Sequence, residues 1–271
     1  MDDASAKSDA PARDPSAEHS LRHALSHNEF VLYGQPILSL QGAEDYTMAE
    51  VLVRMSAEED YLLPPGEFFP AFEHYGLMPE LDRWVCAQAI RLLARSPVIS
   101  VLCINLHRQT LADEGFADSV AYELARARVE GASLVFELSE TDVHALPEVA
   151  ERATADLRRH GCWISIGGVN GGAESLATVK RLRPEMIKID GNIIRHVLDD
   201  HSAELRLKAL TRMSQILHLS LIAEFVEDRE VLDRLRALGV SYAQGFGIFK
   251  PMLLKRLLFP LSQPGARGTR Q

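Results

Sequence analysis

Eight short apolar runs punctuate the chain: VLYGQPIL at 31–38, MAEVLVRM at 48–55, ISVLCINL at 99–106, SLVFEL at 133–138, CWISI at 162–166, MIKI at 186–189, LSLIAE at 219–224 and YAQGFGIF at 242–249. Short runs of this kind, rich in β-branched and aromatic residues, read as strands. Between most of them the apolar positions recur at helical spacing. The segment PELDRWVCAQAIRLLAR places Leu81, Trp84, Val85, Ala89 and Leu92 on one face. EVAERATADLRRHG closes with Arg158, Arg159 and His160 before Gly161, and REVLDRLRALG stops at Gly239, both good helix ends. Only SLQGAEDYT, with Gly42, separates the first two runs, which predicts a hairpin. Strands alternating with helical crossovers predict a (β/α)8 TIM-like barrel with an antiparallel first strand; a doubly wound open sheet is the alternative.

The ends of the chain break this pattern. Residues 1–16, MDDASAKSDAPARDPS, hold no large apolar side chain after Met1, and the tail 261–271, LSQPGARGTRQ, is similar. Neither offers enough apolar surface to offset ordering, so both are expected to be flexible, with one domain over 17–260. Net charge is −9, which argues against a broad basic face and against bulk nucleic-acid binding. Cys86, Cys103 and Cys162 are scattered within apolar runs, a pattern of buried thiols in a reducing compartment. No run approaches the length of a membrane span, and no signal-peptide core opens the chain, so a cytoplasmic protein is expected.

Candidate chemistry sits near the ends of the strands. Glu50, Asn105, Glu137, Lys188, Glu224 and Gln244 recur from run to run. In a barrel such strand ends converge on one mouth, where barrel enzymes place their chemistry. One strand carboxylate alone reads as an outward or edge residue; six polar groups in series read as a pocket. Carboxylates with an asparagine suit hard divalent cations.

These residues lie in segments that resemble EAL domains, the cyclic-di-GMP phosphodiesterase family. Gln35-Pro36-Ile37 is similar to the family's opening QPI, and Glu50-Val51-Leu52-Val53-Arg54 to its EALLR signature with Val for Ala. Asn105-Leu106 resembles the NLS motif, Glu137-Leu138-Ser139-Glu140-Thr141 the ELTE motif, and Ile187-Lys188-Ile189-Asp190 the LKID motif. Ala223-Glu224-Phe225-Val226-Glu227 resembles AEGVE, and Ala243-Gln244-Gly245-Phe246 the AQG strand. The likeness is collinear from about residue 20 to 258. It breaks at 167–172, where active members read DDFGTG and this chain reads Gly167-Gly168-Val169-Asn170-Gly171-Gly172. The resemblance makes those two aspartates metal ligands. Their replacement implies that Glu50, Asn105, Glu137, Lys188, Glu224 and Gln244 are vestigial, with no required metal; Mg or Mn would serve only a residual activity.

What the resemblance implies for ligands is cyclic di-GMP. Arg54 is the phosphate candidate, with a structural pairing to Glu50 or another barrel carboxylate as its alternative. Asp82 reads either as an acceptor for a guanine edge or as an exposed helix residue. Phe225 replaces a family glycine and reads as a stacking platform or as core. Gln35, Leu52, Glu227 and Pro251 complete the implied nucleotide site. The EVL signature, Phe225 and Pro251-Met252 resemble the EAL domain of FimX-type receptors, which implies a PilZ-domain partner in type IV pilus control. Three functions follow: a catalytically silent receptor, an interaction module without nucleotide, and a residual phosphodiesterase.

Overall fold

The computed structural model describes residues 14–42, 46–56 and 62–260. Ten strands build the sheet: β1 (Phe30–Ser39), β2 (Met48–Ser56), β3 (Leu62–Leu63), β4 (Val101–Asn105), β5 (Leu134–Ser139), β6 (Trp163–Val169), β7 (Met186–Ile189), β8 (Ser220–Ala223), β9 (Tyr242–Ala243) and β10 (Met252–Leu253). Its order is β10-β1-β9-β8-β7-β6-β5-β4-β2-β3, and the β1–β2 pairing closes it. Eight of these strands form the barrel wall, while β3 and β10 are two-residue additions paired to β2 and β1. β1 runs antiparallel to β2 and β9, whereas β2 and β4 through β9 are parallel along the wall. The predicted antiparallel first strand is therefore present.

Local signals set the helices. Pro15 opens the first helix, Pro15–Ser26, and the Asp14 side chain accepts a hydrogen bond from the Ser16 amide, satisfying a free donor at its start. That helix begins inside the segment expected to be a flexible leader; the remainder of that segment, 1–13, and the tail 261–271 lie outside the described residues. Gly161 and Gly239 follow helix ends with φ of 80° and 82°, as their positions after the basic last turns predict. All three cysteines are buried and free. No helix among the described residues is long and apolar enough to cross a membrane.

The wall has two faces with different contents. Outward residues such as Val51, Ile104, Phe136, Ile187 and Leu221 join the large cluster that includes buried helix residues. Inside the barrel, Ile37, Met48, Cys103, Val135, Met186 and Ile222 form a separate apolar plug. Side chains alternate across a strand, so the next inward position lies two residues further toward the mouth. From the plug this step gives Gln35, Glu50, Asn105, Glu137, Lys188 and Glu224. A polar layer thus rests on a dry floor.

The last run departs from its reading as a long strand. β9 contains only Tyr242 and Ala243, and the chain then turns. The cause is a close backbone approach: a Cβ at Gly245 would collide with the Val226 backbone, and one at Gly247 with the backbone of Glu227. Val226 and Gly245 segments are tied by Val226 N–H donating to the Gln244 carbonyl at 3.0 Å. Replacing Gly245 with alanine is expected to destabilise the protein by on the order of 3 kcal/mol in urea unfolding, whereas Gly66→Ala, where a Cβ meets nothing within 4 Å, is expected to be neutral or slightly stabilising. Equal, small effects at the two positions would contradict this packing.

Candidate functional site

Lys188 stands at the centre of the polar layer with essentially no exposure. Its Nζ lies 2.7 Å from Glu137 Oε2, 3.0 Å from Glu50 Oε2 and 3.2 Å from Glu224 Oε1. Burial alone would lower the lysine pKa, but attraction from Glu137, Glu50 and Glu224 outweighs it and carries the pKa well above the usual value. For Glu50, burial is outweighed by Lys188 and by hydrogen bonds from Asn105 and Gln244, and its pKa falls below the usual value. Glu137 goes the other way. Burial, with repulsion from Glu50 and Glu224, exceeds the attraction of Lys188 and pushes it up to about 7. The lysine therefore stays charged, while one of its three partners titrates near neutrality.

Amides fix the rim of this cluster. Asn105 Nδ2 donates to Glu50 Oε1 at 2.6 Å, and Gln244 Nε2 donates to Glu50 Oε2 at 2.6 Å and to Gln35 Oε1 at 3.0 Å. Gln35 Nε2 in turn donates to the Phe249 carbonyl at 2.9 Å. All six strand-end residues expected to meet do meet. Gln35 joins them as a structural link.

The mouth opens into two hollows. One, of about 340 Å³, is lined by Gln35, Glu50, Glu224, Phe225, Glu227, Gln244, Gly245 and Phe246. The other, of about 430 Å³, is lined by Asn105, Glu137, Glu140, Asn170, Asp190, Gly167 and Gly168, among others. At Gly167 a Cβ would stand 2.5 Å from Glu137 Oε1, so the Glu137 carboxylate occupies the space of the missing side chain. Gly168 has a φ of 83°, a backbone conformation that glycine adopts freely.

This donor set does not fit a pair of divalent cations, the metals the sequence resemblance implies. Such ions want six or more oxygen donors, and the three carboxylates near the mouth all face Lys188. Asn105 presents its NH₂ group to Glu50, and Gly167 and Gly168 bring no side-chain donor. Among the described residues, no group of three or more His, Cys, Asp and Glu side chains is disposed to hold a metal ion.

Phe225 follows β8 with a φ of 57°, a region open to glycine and rarely taken by bulky residues. Its ring is 48% exposed, so the core reading of this residue is overturned. The ring packs where a Cβ on Gly191 would collide with it, and the Arg195 guanidinium carbon lies 4.3 Å from the ring centroid. Sequence reasoning missed Arg195, which becomes relevant only once the 191–195 helix meets the loop after β8; its four-residue spacing from Gly191 was the one available signal.

The other expected nucleotide residues divide. Glu227 lines the Phe225 hollow. Leu52 and Arg54 follow Glu50 along the same strand face. Arg54 Nη1 donates to the Val53 carbonyl at 2.8 Å and its guanidinium carbon lies 5.8 Å from the Tyr33 ring centroid. The pairing of Arg54 with Glu50 is not made, because Lys188, Asn105 and Gln244 hold that carboxylate. Asp82 is only 6% exposed, which overturns its reading as an exposed residue. Its Oδ2 accepts from Thr110 Oγ1 at 2.6 Å and from the His107 amide at 3.1 Å, and burial, only partly offset by these bonds, pushes its pKa up to about 6. Leu52, Arg54, Asp82 and Pro251 line neither hollow.

Comparison with known proteins agrees with this geometry. The family model described as EAL domain matches residues 18–251. The cyclic di-GMP phosphodiesterase PdeF of Escherichia coli is 29% identical over 86% of this chain and 31% of that protein. The bifunctional diguanylate cyclase/cyclic di-GMP phosphodiesterase MucR of Pseudomonas aeruginosa is 30% identical over 89% of this chain and 36% of its own length. This chain thus spans about a third of each of these relatives. The crystal structure of the FimX EAL domain from Pseudomonas aeruginosa bound to c-di-GMP superposes with a TM-score of 0.82 at 30% identity, covering 88% of this chain and 97% of that one.

Two outcomes test the site's physics. Lys188→Met leaves buried carboxylates facing one another and is expected to cost about 3–5 kcal/mol. Without the ammonium, those carboxyls hold protons more tightly folded than unfolded, so the deficit is largest near pH 8 and shrinks toward pH 5 in denaturant titrations. A deficit that grows on acidification contradicts the cluster. At position 225, asparagine tolerates left-handed backbone and valine does not, so thermal melts are expected to place Phe225→Val about 1 kcal/mol below Phe225→Asn; the reverse order contradicts the strained φ.

Proposed function

This chain belongs to the EAL domain family, and we propose that it is a catalytically silent receptor domain that binds cyclic di-GMP without metal. The observation that carries this reading is the pairing of two features at one mouth. A buried ammonium stands among the carboxylates next to Gly167 and Gly168, and beside it a hollow keeps an aromatic ring exposed on strained backbone. Strain of this kind costs on the order of 1–3 kcal/mol and is found where a site uses it. Phe225 would stack on one guanine, Arg54 would meet a phosphodiester once freed from its local carbonyl, and Glu227 would accept from the base or ribose.

Three carboxylates near two phosphodiesters would repel them in an enzyme stripped of its metals. Here Lys188 supplies a fixed positive charge to the cluster, and the Glu137 carboxyl, pushed up to about 7 by burial, takes a proton readily near neutrality. Both effects favour an anionic ligand. Two-metal activation of water for phosphodiester hydrolysis would find no side-chain donor at Gly167 and Gly168. Asp82 we assign to the fold, where it ties the helix containing it to the 107–110 segment.

A second reading, an interaction module that no longer binds nucleotide, draws support from an apolar hollow of about 730 Å³ beside Phe249, Met252, Leu257 and Phe259. Calorimetric titration with cyclic di-GMP in EDTA separates the two. The receptor reading expects micromolar or tighter binding, weakened about tenfold by Arg54→Ala, and no linear pGpG in Mg²⁺ or Mn²⁺ above a Glu50→Ala control. Absence of heat from folded protein favours the interaction module, and pGpG formation above the control revives the phosphodiesterase.

A further inference from the structure

Phe225 does not hold its orientation alone. A bulky residue at a φ of 57° has no backbone preference for that state, so its ring must be fixed by what it touches. Two contacts come from a single helix, Gly191–Arg195, which follows β7. Gly191 allows the approach, since any side-chain Cβ there would overlap the ring. Arg195, one turn later, lays its guanidinium 4.3 Å from the ring centroid. With one face covered in this way, Phe225 as a residue is still 48% exposed and lines the hollow next to Glu224 and Glu227.

We propose that Arg195 is a positioning residue for base recognition: a cation over one face of Phe225 that holds the ring beside Gly191 and leaves its opposite face to a guanine. The proposal rests on the receptor reading and adds a residue and a mechanism to it. A guanidinium drawn to the negative face of an aromatic ring fixes the platform before the ligand arrives, which removes part of the ordering cost of binding. It also withdraws electron density from the ring, and an electron-poor ring stacks better on an electron-rich purine. Arg195, through its contact with Phe225, also brings positive charge toward a hollow whose ionisable lining residues, Glu50, Glu224 and Glu227, are acidic. The device joins two segments that lie 30 residues apart, at 195 and 225.

A double-mutant cycle tests it, because a purely structural arginine would act equally with or without the ring. Affinity for cyclic di-GMP is measured by calorimetry in EDTA for the wild type, Arg195→Gln, Phe225→Leu and the double variant, with Arg195→Lys as a rescue and circular dichroism as the folding check. Arg195→Gln is expected to weaken binding roughly three- to tenfold, Arg195→Lys to recover most of that, and Arg195→Gln in the Phe225→Leu background to add almost nothing. Losses that simply multiply, or a lysine no better than glutamine, overturn the role of Arg195 while leaving the receptor intact. A wild type that gives no binding at all overturns the receptor reading and this role with it.

Discussion

One buried ammonium organises the mouth of this barrel. Lys188 lies on β7, one strand step above the apolar plug, and its charge is shared by three neighbouring carboxylates that would otherwise repel one another. Glu50 and Glu137 are drawn to it from β2 and β5, and Glu224 from the end of β8. Asn105 and Gln244 donate to the Glu50 carboxylate, and Gln244 and Gln35 carry the network to the Phe249 backbone. The loop after β8 adds Phe225 and Glu227 to the hollow beside it.

Two positions where the sequence departs from the pattern it resembles, Gly167 and Phe225, both border this cluster. At Gly167 a side chain is missing and the Glu137 carboxylate occupies its place beside the lysine. At Phe225 a side chain has been added on backbone suited to glycine, and it stands exposed over the hollow. Under the receptor proposal, the first position would withhold donors from a metal and the second would offer a surface to a base, so that stacking would replace ion coordination as the source of binding energy.

Much of this was legible in the sequence, for identifiable reasons. Period-two alternation takes Met48 to Glu50, Cys103 to Asn105, Val135 to Glu137 and Met186 to Lys188, so both the plug and the polar layer follow once the strands are recognised. Phe225 stood out because it sits where a glycine is expected. What could not be read depends on contacts between distant segments. YAQGFGIF has the composition of a strand, yet Gly245 and Gly247 are there to let the 226–227 backbone press close, which ends β9 early. Asp82 follows Leu81 in an amphipathic helix and gives no local sign that Thr110 and His107 will bury it. Arg195 has no distinguishing neighbour until Phe225 folds over it.

Crystals grown with cyclic di-GMP and Mn²⁺, with data collected at the manganese edge, show directly which charge neutralises the carboxylates. The expected result is nucleotide density with a guanine against Phe225, Lys188 Nζ still among Glu50, Glu137 and Glu224, and no anomalous peak at the barrel mouth. Anomalous peaks beside Glu50 and Glu137, with Lys188 displaced from them, would contradict it.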